Sequence, residues 1–236
     1  MIVSVFDFDD SLFPSYDFSQ KKCISNPTKL SKRISKVLNM ALFFSDKVYI
    51  ITNAQKEWVR LVMEEYLPEC AKLYALIETI SIPDNGYNRG LEFSEWKTSG
   101  FGITLSRHFY NSLFDRNADQ HHLISIGDSE YDHRAAENIA SLFPNIHLKI
   151  VRLKSCPTES DLTLQLKILR DGMKFITEHQ GDLDINLKIS SKIKYPNIIA
   201  KFPLETIEEE DEKEENEEDE KYTPMYEPEF PIVKIC

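Results

Sequence analysis

The fold of this chain is decided by residues 2–11, which read IVSVFDFDDS. The apolar run Ile2–Phe6 is rich in β-forming residues and predicts a buried strand. Asp7 and Asp9 follow it directly, and strand alternation sends both carboxylates to the same side. Two carboxylates this close repel each other unless a cation or a proton intervenes, which favours a metal site or acid–base chemistry. The structural alternative is that acidic residues also cap helices and begin turns.

Length and composition predict one folded domain that needs no disulfide bonds. At 236 residues the chain is long enough to bury a single core without disulfides. Its four cysteines show neither C-x-x-C spacing nor a histidine partner at zinc-ligand distance, which favours free thiols in a reducing compartment. No apolar stretch approaches the roughly 20 residues of a membrane span. The first residues belong to a predicted core strand instead of a signal peptide. We therefore expect a soluble, cytoplasmic protein.

The net charge of −11 is concentrated in one segment. Residues 205–221 hold 12 acidic residues and two lysines, so this run carries −10 and leaves −1 for the rest of the chain. A nearly neutral body gives no electrostatic footprint for nucleic acid, which therefore stays a disfavoured but open partner class. Basic residues do share one helical stretch, which we interpret as a solvated helix face. They are Lys29, Lys32, Arg33 and Lys36.

Short apolar runs alternate with longer segments of helical period. This pattern is typical of an α/β fold, here a three-layer Rossmann-like parallel sheet with helices on both faces. Five strands are predicted, at residues 2–6, 48–51, 76–82, 123–126 and 146–153. The helices between them are predicted from Pro27, around Trp58, from a cap at Ser94 and near residues 134–142.

The predicted core spans residues 1–180. Its last element is a long amphipathic helix that stops near Gly181. Residues 181–204 are an ambiguous extension, and the acidic run 205–221 cannot bury enough apolar surface to order itself, so we expect disorder there. Residues 222–236 regain apolar side chains. They are either an idle tail or a segment that docks back or binds a protein partner as an extended strand.

Polar side chains follow three of the predicted strands, at the edge where ligands collect in an open parallel sheet. In chain order they are Asp7 and Asp9, then Thr52 and Asn53, then Asp128 and Asp132. Lys97 stands near the start of the helix that precedes the fourth strand. Four carboxylates, a hydroxyl and an ammonium group at one edge are what phosphoryl transfer through an aspartyl intermediate requires.

These residues resemble the four motifs of the haloacid dehalogenase-like (HAD) superfamily in type, order and strand position. The motifs D-x-D-x-[T/S], a strand-ending Thr or Ser, a Lys, and G-D-x-x-x-D are matched by residues 7–11, Thr52, Lys97 and residues 127–132. The resemblance covers about residues 1–155. Ser11 stands where threonine is usual in the family, but it keeps the hydroxyl. Asp9 favours phosphatase or phosphotransferase chemistry over the dehalogenase branch, which lacks that acid.

The resemblance implies a Mg²⁺-dependent phosphatase. Asp7 is then the nucleophile that forms an aspartyl-phosphate, and Asp9 is the general acid and afterwards the general base. Mg²⁺ is held by the side chains of Asp7 and Asp128 and by the backbone carbonyl of Asp9, while Asp132 orients metal-bound water or supports these ligands from behind.

The remaining motif residues are implied to handle the phosphoryl group. Thr52 and the backbone N–H of Asn53 hydrogen-bond it, and Lys97 offsets the charge gathered on Asp7 and phosphate. Structural alternatives stay open, because Thr52-Asn53 and the acids of residues 128–132 could simply cap the helices that follow. Lys97 could be a surface lysine, although a cap at Ser94 places it in the first turn, where the helix dipole disfavours a cation.

Short inserts predict an open site without a cap domain. Only residues 13–26 separate the first motif from the next helix, and residues 83–93 form a modest loop before Lys97. Such a site suits a large phosphorylated substrate, including a macromolecular one. Candidates for its mouth are Tyr16, Phe18, Tyr87 and Arg89. The alternative function is a catalytically weak scaffold or binding module that uses the acidic tail to engage partners.

Overall fold

The computed structural model describes residues 1–21, 23–110, 120–143 and 145–187. Within them, six parallel strands form one sheet in the order β3-β2-β1-β4-β5-β6. The strands are β1 Ile2–Phe6, β2 Lys47–Thr52, β3 Glu78–Ser81, β4 His121–Gly127, β5 Ile146–Arg152 and β6 Leu183–Asn186. The expected three-layer Rossmann-like α/β fold is confirmed.

Seven α-helices and one short 3-10 helix, Pro68–Cys70, connect these strands and cover the sheet in the described ranges. The α-helices are named in chain order. They are α1 Ser15–Lys21, α2 Pro27–Phe44, α3 Lys56–Glu65, α4 Ala71–Tyr74, α5 Phe93–Phe109, α6 Glu130–Ser141 and α7 Glu159–Glu178. α2 packs against α7, and α5 packs against α6. Val3 and Val5 of β1 pack into one core cluster with residues of α5 and α6, so the layers meet through alternate side chains of the strands. None of the described helices is long and apolar enough to cross a membrane.

The direction in which the sheet grows reverses at β1. This strand pairs with β2 on one side and with β4 on the other, although about 120 residues separate β1 from β4 in the chain. The connections that leave neighbouring strands at such a point run to opposite sides, which opens a crevice at their carboxyl ends. β1 ends at Phe6 and β4 ends at Gly127. The fold therefore brings the residues that follow these strands to the position where α/β proteins bind ligands.

The sixth strand was not predicted from the sequence. β6 lies in the segment 181–204 and pairs with β5, where Arg152 of β5 makes two contacts with Asp184 of β6, at 2.8 and 3.1 Å. Ile185 is the one buried residue of β6, so the apolar alternation that indicates a strand is missing. The predictions for residues 205–221 and 222–236 lie outside the described residues.

The start of α5 also differs from the prediction. The helix begins at Phe93, and the Glu95 side chain accepts a hydrogen bond from the backbone N–H of Glu92 at 3.2 Å. Glu92 is therefore the capping residue, and Ser94 lies inside the first turn. Lys97 then belongs to the second turn, so the helix-dipole argument for its function was wrong.

A lysine in the core adds an electrostatic cost to this fold. The side chain of Lys149 on β5 is inaccessible to solvent, and its Nζ donates a hydrogen bond to the carbonyl oxygen of Thr177 on α7 at 2.9 Å. Burial lowers the pKa of Lys149 from 10.5 to about 8. The folded state therefore binds this proton more weakly than the unfolded chain does, and the cost is fully present below pH 8.

We expect Lys149→Met to raise the free energy of unfolding at pH 7 by about 1–2 kcal/mol, because the gain from removing a buried charge exceeds the loss of one hydrogen bond. Wild-type stability should also rise from about pH 8 to about pH 10 relative to the variant, since the unfolded chain holds the proton longer. Urea denaturation across this range measures both effects. Lys174→Met, at an exposed position of α7, is the control. A variant less stable than wild type at pH 7 would contradict the prediction.

Candidate active site

A tight turn connects β1 to α1 and places the first acids. The backbone N–H groups of Ser11, Leu12 and Phe13 all donate to the carbonyl oxygen of Phe8, at 3.3, 2.9 and 3.0 Å. Asp10 adopts a left-handed φ of 57° inside this turn. β1 ends at Phe6, so this turn and not strand alternation places the two acids, and the prediction that the Asp7 and Asp9 carboxylates lie on the same side stays a prediction.

Asp7, Asp128 and Asp132 form an acidic cluster at the crevice. One carboxylate oxygen of each lies within 4.8 Å of the corresponding oxygens of the other two. Asp7 and Asp132 are buried, and Asp128 is half-buried. Burial raises the pKa of Asp7, as does the charge of Asp132, and the same two causes raise the pKa of Asp128 to about 7. A group of buried, mutually repelling oxygen ligands is the donor set that suits a hard divalent cation such as Mg²⁺.

Lys97 reaches into this cluster from α5. Its Nζ lies 2.7 Å from Oδ1 of Asp132, donates to the carbonyl oxygen of Ile51 at 2.7 Å and contacts Oδ1 of Asp7. Burial lowers the pKa of Lys97, but the charges of Asp132 and Asp7 outweigh it and raise the pKa overall, so the ammonium group stays protonated. The side chain is 3 % exposed, so the alternative of a surface lysine is excluded. With all three carboxylates ionised, the cluster and the ammonium group together carry two negative charges, which a divalent cation would match.

Ser11 joins the two loops that carry the acids. Its Oγ lies 3.4 Å from Oδ2 of Asp7 and 3.3 Å from Oδ1 of Asp128, and it accepts the backbone N–H of Asp128 at 3.1 Å. Because a hydroxyl has one proton, it can donate to only one of these carboxylates at a time. The hydrogen-bonding role expected for the hydroxyl at this position is therefore present with serine.

Asp132 combines a structural role with a place in the cluster. Its Oδ2 accepts hydrogen bonds from the Ser129 hydroxyl at 2.5 Å and the Ser129 backbone N–H at 3.3 Å, which caps the start of α6. Its Oδ1 faces Lys97. A Cβ atom on Gly127 would lie 2.7 Å from the carboxyl carbon and Oδ2 of Asp132, so only glycine allows this close approach. The helix-cap alternative for Asp132 is thus correct, but it does not exclude the site.

Thr52 and Asn53 end β2 beside this cluster. Thr52 is fully buried, and its Oγ1 accepts the backbone N–H of Ala54 at 3.0 Å in a local turn. The N-cap position of α3 is Gln55, so the alternative that Thr52 and Asn53 cap this helix was wrong. The hydroxyl proton of Thr52 stays available for a further acceptor. The side-chain oxygen of Asn53 is buried without a hydrogen-bond partner in the described structure. The assignment of both residues to phosphate binding stays a prediction.

Asp9 lies outside the acidic cluster and has its own partners. Its Oδ1 accepts a hydrogen bond from Nε1 of Trp58 at 3.1 Å and another from the hydroxyl of Ser15. Burial raises the pKa of Asp9, while these two hydrogen bonds oppose the increase. The sequence analysis missed Ser15 and Trp58 as neighbours of an acid. The sequence offered one local indication of this contact. Ser15 begins α1, which follows the first motif, and Trp58 lies in the first turn of α3, which follows the second.

Asp10 and Phe18 both serve α1 and its packing. Oδ1 of Asp10 accepts the backbone N–H of Tyr16 at 2.9 Å, and burial raises the pKa of Asp10 to about 6. The Asp10 charge still contributes to the raised pKa of Asp128. Phe18 packs against Phe13, with ring centroids 5.4 Å apart, and so belongs to the packing of α1.

A polar groove opens next to the acidic cluster. It has a volume of about 560 Å³, within the usual range for ligand pockets. It is lined by Asp128, Glu130, His133, Arg152, Leu153, Lys154, Ser155 and Asn186. Its cations are matched by acids, since Arg152 pairs with Asp184 and Lys154 pairs with Asp161. The groove thus offers space beside the site without a net positive field.

Comparisons with protein-family models, with curated proteins and with solved structures found no match to this chain.

Gly127→Ala should destabilise the protein by about 1–3 kcal/mol, because the new Cβ atom displaces Asp132 from both its cap and its ion pair. Gly102→Ala is the matched control, since its Cβ atom would lie 3.5 Å from the Ile139 side chain, an ordinary contact distance. Inside α5 that substitution should stabilise the protein by up to about 1 kcal/mol. Thermal and urea denaturation compare the two variants. Equal effects at both positions would show that the close approach to Asp132 does not constrain the fold.

The acidic cluster predicts opposite pH dependences with and without metal. Since the folded-state pKa of Asp128 is about 7 against an ordinary 3.8, the metal-free protein should gain stability from this group as the pH falls from about 7 to about 4. Mg²⁺ binding needs the carboxylate, so the rise in melting temperature on adding Mg²⁺ should shrink between about pH 8 and about pH 6. Asp128→Asn should abolish most of this dependence. A Mg²⁺ effect that is constant over this range would refute the prediction.

Proposed function

We propose that this protein is a Mg²⁺-dependent phosphatase of the HAD type that hydrolyses a phosphomonoester through an aspartyl-phosphate on Asp7. The observation that carries the proposal is the buried Asp7 carboxylate, held by Lys97 beside Asp128 and Asp132 at the crevice of a parallel sheet. If Lys97, Asp7 and Asp132 formed only a structural ion pair, Asp128 would be unnecessary there, because a third carboxylate adds charge repulsion. The residual double negative charge supports a site for a divalent cation.

In the first step, an oxygen of Asp7 attacks phosphorus and the bond from phosphorus to the ester oxygen breaks. The departing oxygen takes a proton from Asp9. In the second step, Asp9 accepts a proton from water, the water oxygen attacks phosphorus, and inorganic phosphate leaves as the Asp7 carboxylate is restored. Asp7, Asp128 and the backbone carbonyl of Asp9 would hold Mg²⁺, which would supply charge neutralisation for the phosphoryl oxygens.

The other residues act on the charge and position of the phosphoryl group. Lys97 stabilises the ionised form of the Asp7 nucleophile, in opposition to the burial that raises the pKa of Asp7, and offsets charge that gathers during attack. Asp132 holds the Lys97 ammonium group in place and, through it, orients the Asp7 ligand without binding the metal directly. The hydroxyl of Thr52 and the backbone N–H of Asn53 donate to the phosphoryl oxygens.

An open site favours a large phosphorylated substrate. α1 is only seven residues long, and the connection between β3 and α5 is a series of turns in the described structure. The groove beside Asp128 adds room for the group that carries the phosphate. Water is then excluded by the substrate itself, which supports a macromolecular or bulky phosphorylated substrate.

The test is hydrolysis of p-nitrophenyl phosphate with Mg²⁺, with EDTA and with Asp7→Asn in parallel. We expect Mg²⁺-dependent turnover that falls by at least about 10³-fold in the variant, because an amide cannot serve as the nucleophile. Asp171→Asn, on α7 and outside the site, should retain wild-type activity. No turnover and no rise in melting temperature with Mg²⁺ would refute the proposal and favour the scaffold alternative. Turnover that survives in Asp7→Asn would refute the aspartyl-phosphate mechanism.

A further inference from the structure

The hydrogen bonds to Asp9 are divided unequally between its two oxygens. Oδ1 accepts both the indole N–H of Trp58, at 3.1 Å, and the hydroxyl of Ser15. The two donors come from different elements, α3 and α1. Two donors occupy both lone pairs of one carboxyl oxygen, so a proton on this side chain resides on Oδ2.

We propose that Trp58 and Ser15 are positioning residues that fix the carboxyl group of Asp9 and direct its proton to Oδ2. This inference rests on the proposed function, in which Asp9 protonates the departing ester oxygen. In the first step the Oδ2–H bond breaks, its electrons stay on Asp9, and the proton joins the oxygen that keeps the electrons of the broken phosphorus–oxygen bond. In the second step Oδ2 takes a proton from the attacking water.

The orientation of the indole is fixed by its packing. The Trp58 ring meets Phe13 edge-on, with ring centroids 6.1 Å apart, and it meets Phe18 at 6.2 Å. Phe18 also packs on Tyr66, with ring centroids 5.1 Å apart. Such aromatic pairs hold a ring in a defined geometry. Because Phe18 belongs to α1, as Ser15 does, one aromatic cluster sets the position of both donors.

A second, independent feature distinguishes the hydrogen-bond partners of Asp9 from those of Asp7, although the charge of Lys97 acts on both acids. The nucleophile Asp7 is held by Lys97, whereas neither hydrogen-bond donor of Asp9 is charged. A neutral donor orients a carboxyl group without forcing it to remain ionised, as an ammonium group does. The two acids are thus given different surroundings, as acid–base chemistry by a pair of carboxyl groups requires.

The kinetic test uses Trp58→Phe with two esters that differ in leaving group. Phenyl phosphate needs a proton on the departing oxygen, whereas 2,4-dinitrophenyl phosphate leaves as a stable phenolate. We expect kcat/KM for phenyl phosphate to fall by about tenfold or more, mainly through kcat, and kcat/KM for the dinitrophenyl ester to change by less than about twofold. Ser15→Ala should act in the same direction.

Trp96→Phe is the matched control, because the indole N–H of Trp96 donates to the carbonyl oxygen of Leu91 at 3.2 Å. The ratio of the two kcat/KM values should be unchanged in this variant. An equal fall for both esters in Trp58→Phe, or no fall, would overturn the positioning role while the phosphatase proposal stands. Failure of the wild type to turn over either ester would instead refute the phosphatase proposal and, with it, the role inferred for Trp58.

A measurement without turnover tests the contact itself. In ¹⁵N-labelled protein, the two tryptophan indole N–H resonances are assigned with Trp58→Phe and Trp96→Phe. Asp9→Ala should move the Trp58 resonance and leave that of Trp96 in place, because the Trp58 indole donates to Asp9 whereas the Trp96 indole donates to Leu91. A Trp58 resonance that does not move would overturn the inference whatever the activity.

Discussion

The structure depends above all on the buried contact of Lys97 with Asp7 and Asp132. It joins a helix, the end of the central strand and the start of another helix, and the carbonyl oxygen of Ile51 adds a second strand. Taking these three charges out of water costs several kcal/mol for each ion, and their mutual attraction offsets that cost only while all three are present. An arrangement this demanding is poor evidence for stability alone. The proposed phosphatase mechanism would account for it, because that mechanism needs the Asp7 nucleophile in a site shielded from water.

Sheet topology makes that contact possible. Asp7 and Asp128 are far apart in sequence, but they follow adjacent strands that run in the same direction. The loops after β1 and β4 are then linked by the Ser11 hydroxyl, which leaves little freedom in the distance between the two acids. The geometry of the cluster is thus a property of the strand order and of one hydroxyl, rather than of any single motif.

Sequence patterns predicted the parts that depend on local apolar periodicity or on strand ends. The strands β1, β2 and β4 were found because each is a run of buried residues, whereas the predicted third strand was too long, since Leu76 is 72 % exposed. The acids after β1 and β4 and the lysine of α5 were placed at one edge because parallel strands end together. Local patterns carry no information on partners from distant elements, so the hydrogen bond of Trp58 to Asp9 was missed.

The contacts of α1 couple its position to the surroundings of Asp9. The helix is held at its start by Asp9 and Asp10, through Ser15 and the backbone N–H of Tyr16, and on its flank by Phe18 against the aromatic ring of Trp58. Any movement that lifts α1 from the crevice therefore separates Ser15 from Asp9. In the proposed mechanism Asp9 is the general acid, so it would keep both of its hydrogen-bond donors only while α1 stays packed in this position.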